Sequence, residues 1–219
     1  MMIIGDILTP EELERVRQGL GEARFADGRR TARGAAREVK ANRQADAADP
    51  AVQALARFVG KALERNDLLQ LYARPARRSP LMFSRYGPGD AYGLHVDDPV
   101  MGAGEEELRT DLSFTLFLSE PEGFEGGELV LDTPAGEQVL KPPAGAVAVY
   151  ATGVLHRVEP VTSGERLAAV GWIQSRIRRA DEREILFDLS RIRSGLGEGE
   201  PRLLLDKSIG NLTRLWADI

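Results

Sequence analysis

The chain has 219 residues, 42% hydrophobic and 29% charged, with a formal net charge of −5 at pH 7; this suits one globular domain of generous size, or a domain with a helical appendage, and argues against a general nucleic-acid binder. It contains no cysteine, which excludes disulfides, thiolate nucleophiles, zinc fingers and iron–sulfur clusters. No run approaches the roughly 18 apolar residues of a membrane helix, and the opening "MMIIGDILTPEE" lacks a signal peptide's basic start and long apolar core, so a cytoplasmic location without a membrane partner is expected.

In chain order, "ILTPEELERVRQGL" predicts the first helix: Thr9 caps, Pro10 suits the first turn, Glu12 completes a capping box, and Leu13, Val16 and Leu20 recur at helical spacing. Residues 24–43 carry Arg24, Arg29, Arg30, Arg33, Arg37, Lys40 and Arg43 against Asp27 and Glu38. This stretch reads as a solvated face or a loop over a cleft, with attraction of an anionic substrate as the alternative. The sequence "DPAVQALARFVGKALER" predicts a second helix, with Asp49 as cap and Val52, Leu55, Phe58, Val59 and Leu63 as its apolar face.

From residue 81 the texture changes to short apolar runs bounded by Gly, Pro and Asp: "LMFSRY", "LSFTLFLS", "GELVL", "EQVLKP", "GAVAVYA", "HRVEPV" and "RLAAVGWIQS". Their length and spacing predict an antiparallel sandwich or barrel. After about residue 177 helical patterning returns, with Ile185, Leu189 and Ile192 at i, i+4 and i+7. The glycines of "SGLGEGEP" precede a last helix ending "NLTRLWADI", whose Leu212, Leu215 and Trp216 read as an internal brace or a homodimer surface. Helices, then strands, then helices predict an α+β packing around one sheet core.

Only two histidines are present, His95 in "YGLHVDDPV" and His156 in "VLHRVEP". In a strand, residues i and i+2 share a face, so His95 and Asp97 project together. Two ligands leave a metal under-coordinated, and the other histidine, His156, is the candidate third. A 2-His-1-carboxylate face with open positions suits non-haem Fe(II); a hydrogen-bonded His–Asp pair is the plainer alternative. Arg166 follows His156 by ten residues, across "RVEPVTSGE" with its turn formers Pro160, Ser163 and Gly164. A turn centred near residues 161–162 would make a hairpin, with Arg166 opposite His156 and its planar fork available to a carboxylate. A rim salt bridge is the alternative.

With these residues assembled, the chain resembles the Fe(II)/2-oxoglutarate dioxygenases, and more narrowly the bacterial PKHD-type hydroxylases, relatives of the prolyl 4-hydroxylases. The matching pieces are "AAREVKANRQ", "FSRYGPGDAYGLHVDDPV", "RTDLSFTLFLSEPEGFEGGELVL" and "PPAGAVAVYATGVLHRVEPVTSGERLAAVGWIQS", spanning residues 35–176. The resemblance implies a double-stranded β-helix (jelly roll) core at residues 76–177, braced by an N-terminal helical support region, 1–75, and a C-terminal helical extension, 178–219. It implies that His95, Asp97 and His156 bind Fe(II), and that Arg166 binds the distal carboxylate of 2-oxoglutarate. Tyr86 would touch the cosubstrate, with sheet packing as the other role open to it. Asn42 and Gln44 would border the active-site mouth as substrate contacts. "EGGEL", residues 125–129, then reads as a turn that uses the backbone freedom of Gly126 and Gly127.

The implied activity is hydroxylation of a small-molecule or peptide substrate, coupled to O2 and to conversion of 2-oxoglutarate to succinate, with ascorbate as a stimulant in related enzymes. Asp97 favours hydroxylation over halogenation, because related halogenases lack that carboxylate. Two other classes stand beside this one: a cupin-like metal-binding sensor, which commonly shows H-x-H where this chain has Asp97, and a nucleic-acid demethylase of the same cofactor class. The Gly- and Glu-rich "PVMGAGEEELR", residues 99–109, reads as a lid over the site.

Overall fold

Short strands that bury one or both faces need a partner sheet or a helical layer, and this chain supplies both. A computed structural model describes residues 1–218 and, apart from the side chain of Glu106, their side chains; Ile219, the last residue of "NLTRLWADI", lies outside the described residues. The larger sheet has eight strands, in the order Met2–Ile4, Val147–Ala151, Leu112–Phe117, Arg166–Ser175, Met82–Tyr86, Arg43–Ala45 and Phe25–Asp27, with Pro75–Arg78 also pairing with the long Arg166–Ser175 strand. The smaller has five: Gly136–Leu140, Leu129–Thr133, Leu155–Val158, Ala91–His95 and Lys40–Ala41. Every pairing is antiparallel, and the two sheets form a jelly roll.

The strand Leu112–Phe117 is buried at all six positions. Its Leu112, Phe114 and Leu116 join Leu13, Val16, Leu20, Val59 and Leu63 of the two N-terminal helices in the main core. Phe117, on the opposite face, packs with Tyr86, Leu129, Leu131 and Tyr150 between the sheets. The larger sheet is thus the middle layer of three. The helix Pro10–Glu22 has the predicted capping box, and Asp49 caps Pro50–Arg65 by accepting from the Ala51 N–H at 2.8 Å.

The first 75 residues are more than a helical support. They give the edge strands Met2–Ile4 and Phe25–Asp27, and residues 40–45 join both sheets, Lys40–Ala41 at the edge of the smaller and Arg43–Ala45 between Met82–Tyr86 and Phe25–Asp27 in the larger. These pieces are too short to show alternation, and form because the sheet edges offer unpaired backbone groups. At the other end, the helix Ala180–Ser194 buries Arg183, Leu186, Phe187 and Ser190, while Ile185 and Ile192 of the predicted stripe are 45% and 56% exposed. Polar anchoring decides its face. Arg183 donates to the carbonyls of Ile177 and Arg178 at 2.8 and 2.7 Å, and Arg74 donates to Ser190 Oγ at 3.1 Å. The last helix, Glu200–Trp216, leans on it through the Arg193–Asp206 ion pair, with no fully buried residue. Among the described residues no helix is long and apolar enough to cross a membrane.

The predicted hairpin joining His156 to Arg166 does not form. Beyond Val158 the chain leaves the smaller sheet, Val161–Gly164 pairs with Phe124–Gly126, and only then does Arg166 enter the larger sheet opposite Tyr86. Pro160 has no N–H with which to continue a ladder. The "EGGEL" turn does form, with φ of 70° at Gly126 and 67° at Gly127. A Cβ at Gly126 would lie 2.0 Å from the Pro160 carbonyl oxygen. Gly126→Ala is therefore expected to destabilise the fold by at least about 2 kcal/mol, read as a lowered midpoint in urea unfolding.

Candidate metal centre

His95 closes the strand Ala91–His95, Asp97 follows two residues on, and His156 lies directly opposite His95 across the ladder to Leu155–Val158. His95 Nδ1 donates to the Gly93 carbonyl at 2.8 Å and His156 Nδ1 to the Val154 carbonyl at 3.0 Å. A carbonyl only accepts, so each Nδ1 carries the proton and each Nε2 presents a lone pair. His95 Nε2 is 3.8 Å from Asp97 Oδ1, and His156 Nε2 is 3.7 Å from Asp97 Oδ2. These gaps are too long for the hydrogen-bonded His–Asp alternative. One ligand atom from each residue lies within 4.8 Å of the others, which suits three donors sharing an ion at roughly 2 Å each.

The surroundings fix this geometry. Asp97 Oδ2 accepts from Ser113 Oγ at 2.7 Å and from Trp172 Nε1 at 2.9 Å, both from the larger sheet. Tyr92 stacks on His95 with ring centroids 3.6 Å apart, and Tyr150 meets His156 edge-on at 5.2 Å. Burial first, and then the neighbouring His156, push His95 well below the usual histidine range, so its ring is neutral near pH 7, the form a metal requires. Ser113 and Trp172 escape a reading of the sequence, since they stand 16 and 75 residues from Asp97 and carry no motif. Trp172→Phe keeps the packing and removes the donor; metal affinity is expected to fall about 10–100-fold, measured by calorimetry, with the far-UV spectrum unchanged.

Arg166 lies on the same pocket, although in the other sheet from His156. It is 2% exposed, and its Nε has no hydrogen-bond partner. No carboxylate lies within ion-pair distance of it among the described residues; Glu128 acts from further off and is itself 3.6 Å from Lys141 Nζ. The guanidinium sits 5.1 Å from the Tyr86 ring centroid and 5.4 Å from that of Phe117. A buried cation without a partner is costly, and a ligand carboxylate would complete it.

One pocket therefore brings together all the predicted site residues: His95, Asp97 and His156, then Tyr86 and Arg166, then Asn42 and Gln44. Thr31, Arg33 and Ala36, and Val96, Asp98 and Met101, also line it. The predicted lid is a tethered hairpin. Val100–Met101 pairs with Leu108–Arg109, and Arg77 donates to the carbonyls of Glu105 and Glu107 at 2.6 and 2.7 Å. In the basic stretch Arg29, Arg30, Arg33, Arg37 and Arg43 are exposed, but Lys40 is buried, because its Cα pairs with Tyr92 at the sheet edge and its side chain turns into the pocket.

Comparison with known proteins agrees with this geometry. The model of the 2OG-Fe(II) oxygenase superfamily matches residues 81–174. The chain is 47% identical to a PKHD-type hydroxylase of Hyphomonas neptunium over all of both chains, and 48% identical to one of Picosynechococcus over 98% of both. In fold it is similar to a prolyl hydroxylase of Trichoplax adhaerens solved with a peptide fragment of the hypoxia inducible factor oxygen degradation domain: TM-score 0.57, 20% identity, covering 86% of each chain.

Proposed function

The chain belongs to the 2OG-Fe(II) oxygenase superfamily, among the PKHD-type hydroxylases, and on that premise we propose that it hydroxylates a small-molecule or peptide-like substrate while converting 2-oxoglutarate to succinate and CO2. In this reading His95, Asp97 and His156 hold Fe(II) and Arg166 holds the far carboxylate of 2-oxoglutarate. The observation that carries it is the buried, unpaired Arg166 guanidinium on the same pocket as the His–Asp–His cluster. A metal-binding sensor needs no such cation.

The residues fit both groups. The two Nε2 lone pairs and the Asp97 carboxylate are the neutral and anionic donors that Fe(II) takes. The orphaned Arg166 offers a planar fork to a carboxylate. Bound iron, with 2-oxoglutarate and O2, supplies the oxidative decarboxylation and the delivery of one oxygen atom to a substrate C–H bond. The protein's part is positional. Ser113 and Trp172 hold the Asp97 carboxylate against rotation, and the backbone carbonyls of Gly93 and Val154 fix both imidazoles in the metal-binding tautomer. Arg166, steadied between the Tyr86 and Phe117 rings, would hold one carboxylate of the cosubstrate and leave its keto-acid end free for the metal. Burial pushes the Tyr86 and Tyr150 phenols up, so both remain neutral donors.

Iron-loaded protein given 2-oxoglutarate and air is expected to release succinate slowly even without a substrate. The release should depend on both iron and O2, and ascorbate is expected to prolong it. Sustained absence of succinate from protein with verified iron content would transfer the site to the sensor class.

A further inference from the structure

Residues 40–45 bridge the two sheets, and every second side chain turns into the pocket. Lys40, Asn42 and Gln44 are 5%, 5% and 6% exposed, while Ala41 and Arg43 between them face solvent. The Lys40 ammonium donates to Thr31 Oγ1 at 3.0 Å, and Thr31 Oγ1 is 2.5 Å from Gln44 Oε1. The same ammonium lies 5.0 Å from the centroid of Tyr92, the ring stacked on His95. No carboxylate pairs with Lys40 among the described residues. Burial pushes it down to about 8, with Asp97 pulling the other way, so it remains largely protonated near neutral pH. An ammonium has three donors, and one is engaged here.

Between Lys40 and Gln44, Asn42 is the stranger case. Both Nδ2 and Oδ1 are buried without a hydrogen-bond partner, with the Tyr86 hydroxyl close by. The fold makes room for this amide: a Cβ on Gly28 would lie 1.8 Å from Asn42 Oδ1, and the Gly28 N–H donates to the Asn42 carbonyl at 2.9 Å. A buried donor and a buried acceptor on one side chain, both unmet, are costly. A carboxylate can satisfy Nδ2 but has no proton for Oδ1, so the cosubstrate alone does not complete Asn42. A trans amide points its N–H and C=O in opposite directions, but an acylated amino-acid residue presents its N–H and its own carbonyl or carboxylate oxygen on one edge, and these complete both.

Resting on the proposed function above, we propose that Lys40 and Asn42 form the primary-substrate subsite, and that the group they take is a carboxylate next to an amide, as in an N-acyl amino acid or the C-terminal residue of a peptide. Asn42 Oδ1 accepts from the amide N–H and its Nδ2 donates to one carboxylate oxygen, Lys40 takes the other oxygen, and Thr31 and Gln44 hold the ammonium in place. The exposed Arg33 and Asp98 line the same pocket. In this reading the cosubstrate takes Arg166, and Tyr86 neighbours both that guanidinium and Asn42.

The test uses full-length protein loaded with Mn(II) and saturating 2-oxoglutarate under argon. The probes are a panel of N-acetyl amino acids and the same panel as N-acetyl amino acid amides, which differ in the negative charge. Paramagnetic broadening of probe resonances, with Zn(II)-loaded protein as reference, reports binding near the metal. At least one acid is expected to bind about tenfold or more tightly than its amide. Lys40→Met should erase that preference and Lys40→Arg should retain part of it. Asn42→Ala should weaken acid and amide alike by about tenfold. Lys40→Met removes a buried charge at similar volume, so it is expected to fold, and thermal unfolding checks this. Equal binding of acids and amides, or no broadening from either panel while 2-oxoglutarate binds, overturns the proposal and leaves the dioxygenase reading standing. Loss of 2-oxoglutarate affinity in Lys40→Met would assign Lys40 to the cosubstrate and overturn it as well. Failure of wild-type protein to bind 2-oxoglutarate at all would instead remove the reading on which it rests.

Discussion

Arg166→Ala is expected to weaken 2-oxoglutarate binding by about two to three orders of magnitude while iron affinity changes little. Breaking one member of a desolvated charge pair costs about 3–5 kcal/mol, because the other charge remains buried and unpaired; water entering the vacated space softens this toward the lower end. Arg166→Lys should fall between, since an ammonium cannot reproduce a two-point contact with a carboxylate. The rim salt bridge that the sequence also allows would be worth about 0–1 kcal/mol, but a side chain 2% exposed with an orphaned Nε is not at a rim. Stability should move the opposite way. Arg166→Met removes an uncompensated buried charge at similar volume, so the ligand-free protein is expected to unfold at a higher temperature than wild type even as cosubstrate binding is lost. Calorimetric titration of 2-oxoglutarate into the metal-loaded variants, with thermal unfolding of the metal-free forms, reads both effects. Wild-type affinity in Arg166→Ala would place the anchor elsewhere.

His156→Ala is expected to weaken divalent metal binding by well over 100-fold, with Asp97→Ala and His95→Ala behaving alike. Removing an outer partner of a ligand costs about 10–100-fold, and removing a ligand from a set of three costs more. The chain has no cysteine and no further histidine to substitute. Ser113 and Trp172 still hold Asp97 in each histidine variant, so the pocket should keep its shape and the loss should appear in Mn(II) titration without loss of secondary structure. Unchanged affinity in His156→Ala would sink the assignment.

The site was legible because its chemistry is concentrated in rare residues. With two histidines in the chain, the spacing of His95 and Asp97 and a strand context for His156 leave few alternatives. Arg166 was reached by an argument that the fold does not follow: it meets the pocket from the larger sheet, across from His156 instead of beside it in a hairpin. Cross-sheet juxtaposition leaves no trace in local spacing, and Ser113 and Trp172 were invisible for the same reason. The jelly roll showed itself through strand length and turn residues. The short strands within residues 2–45 did not, because two- and three-residue strands have too few positions to alternate. The helix Ala180–Ser194 shows periodicity misleading in another way: its apolar Ile185 and Ile192 point outward, and a buried arginine and serine set the docked face. Charge density misled at Lys40, which sits among exposed arginines yet is buried.

The most direct test of the iron and 2-oxoglutarate reading is an anaerobic difference spectrum. Fe(II)-loaded protein is titrated with 2-oxoglutarate under argon, and the visible charge-transfer absorption of an iron-chelated 2-oxo acid is followed. The band is expected to grow to one equivalent of 2-oxoglutarate in wild type, to be missing without iron or in His156→Ala, and to need far higher 2-oxoglutarate in Arg166→Ala. Wild-type protein that retains its iron and shows no band at any 2-oxoglutarate concentration would contradict a cosubstrate bound beside His95, Asp97 and His156.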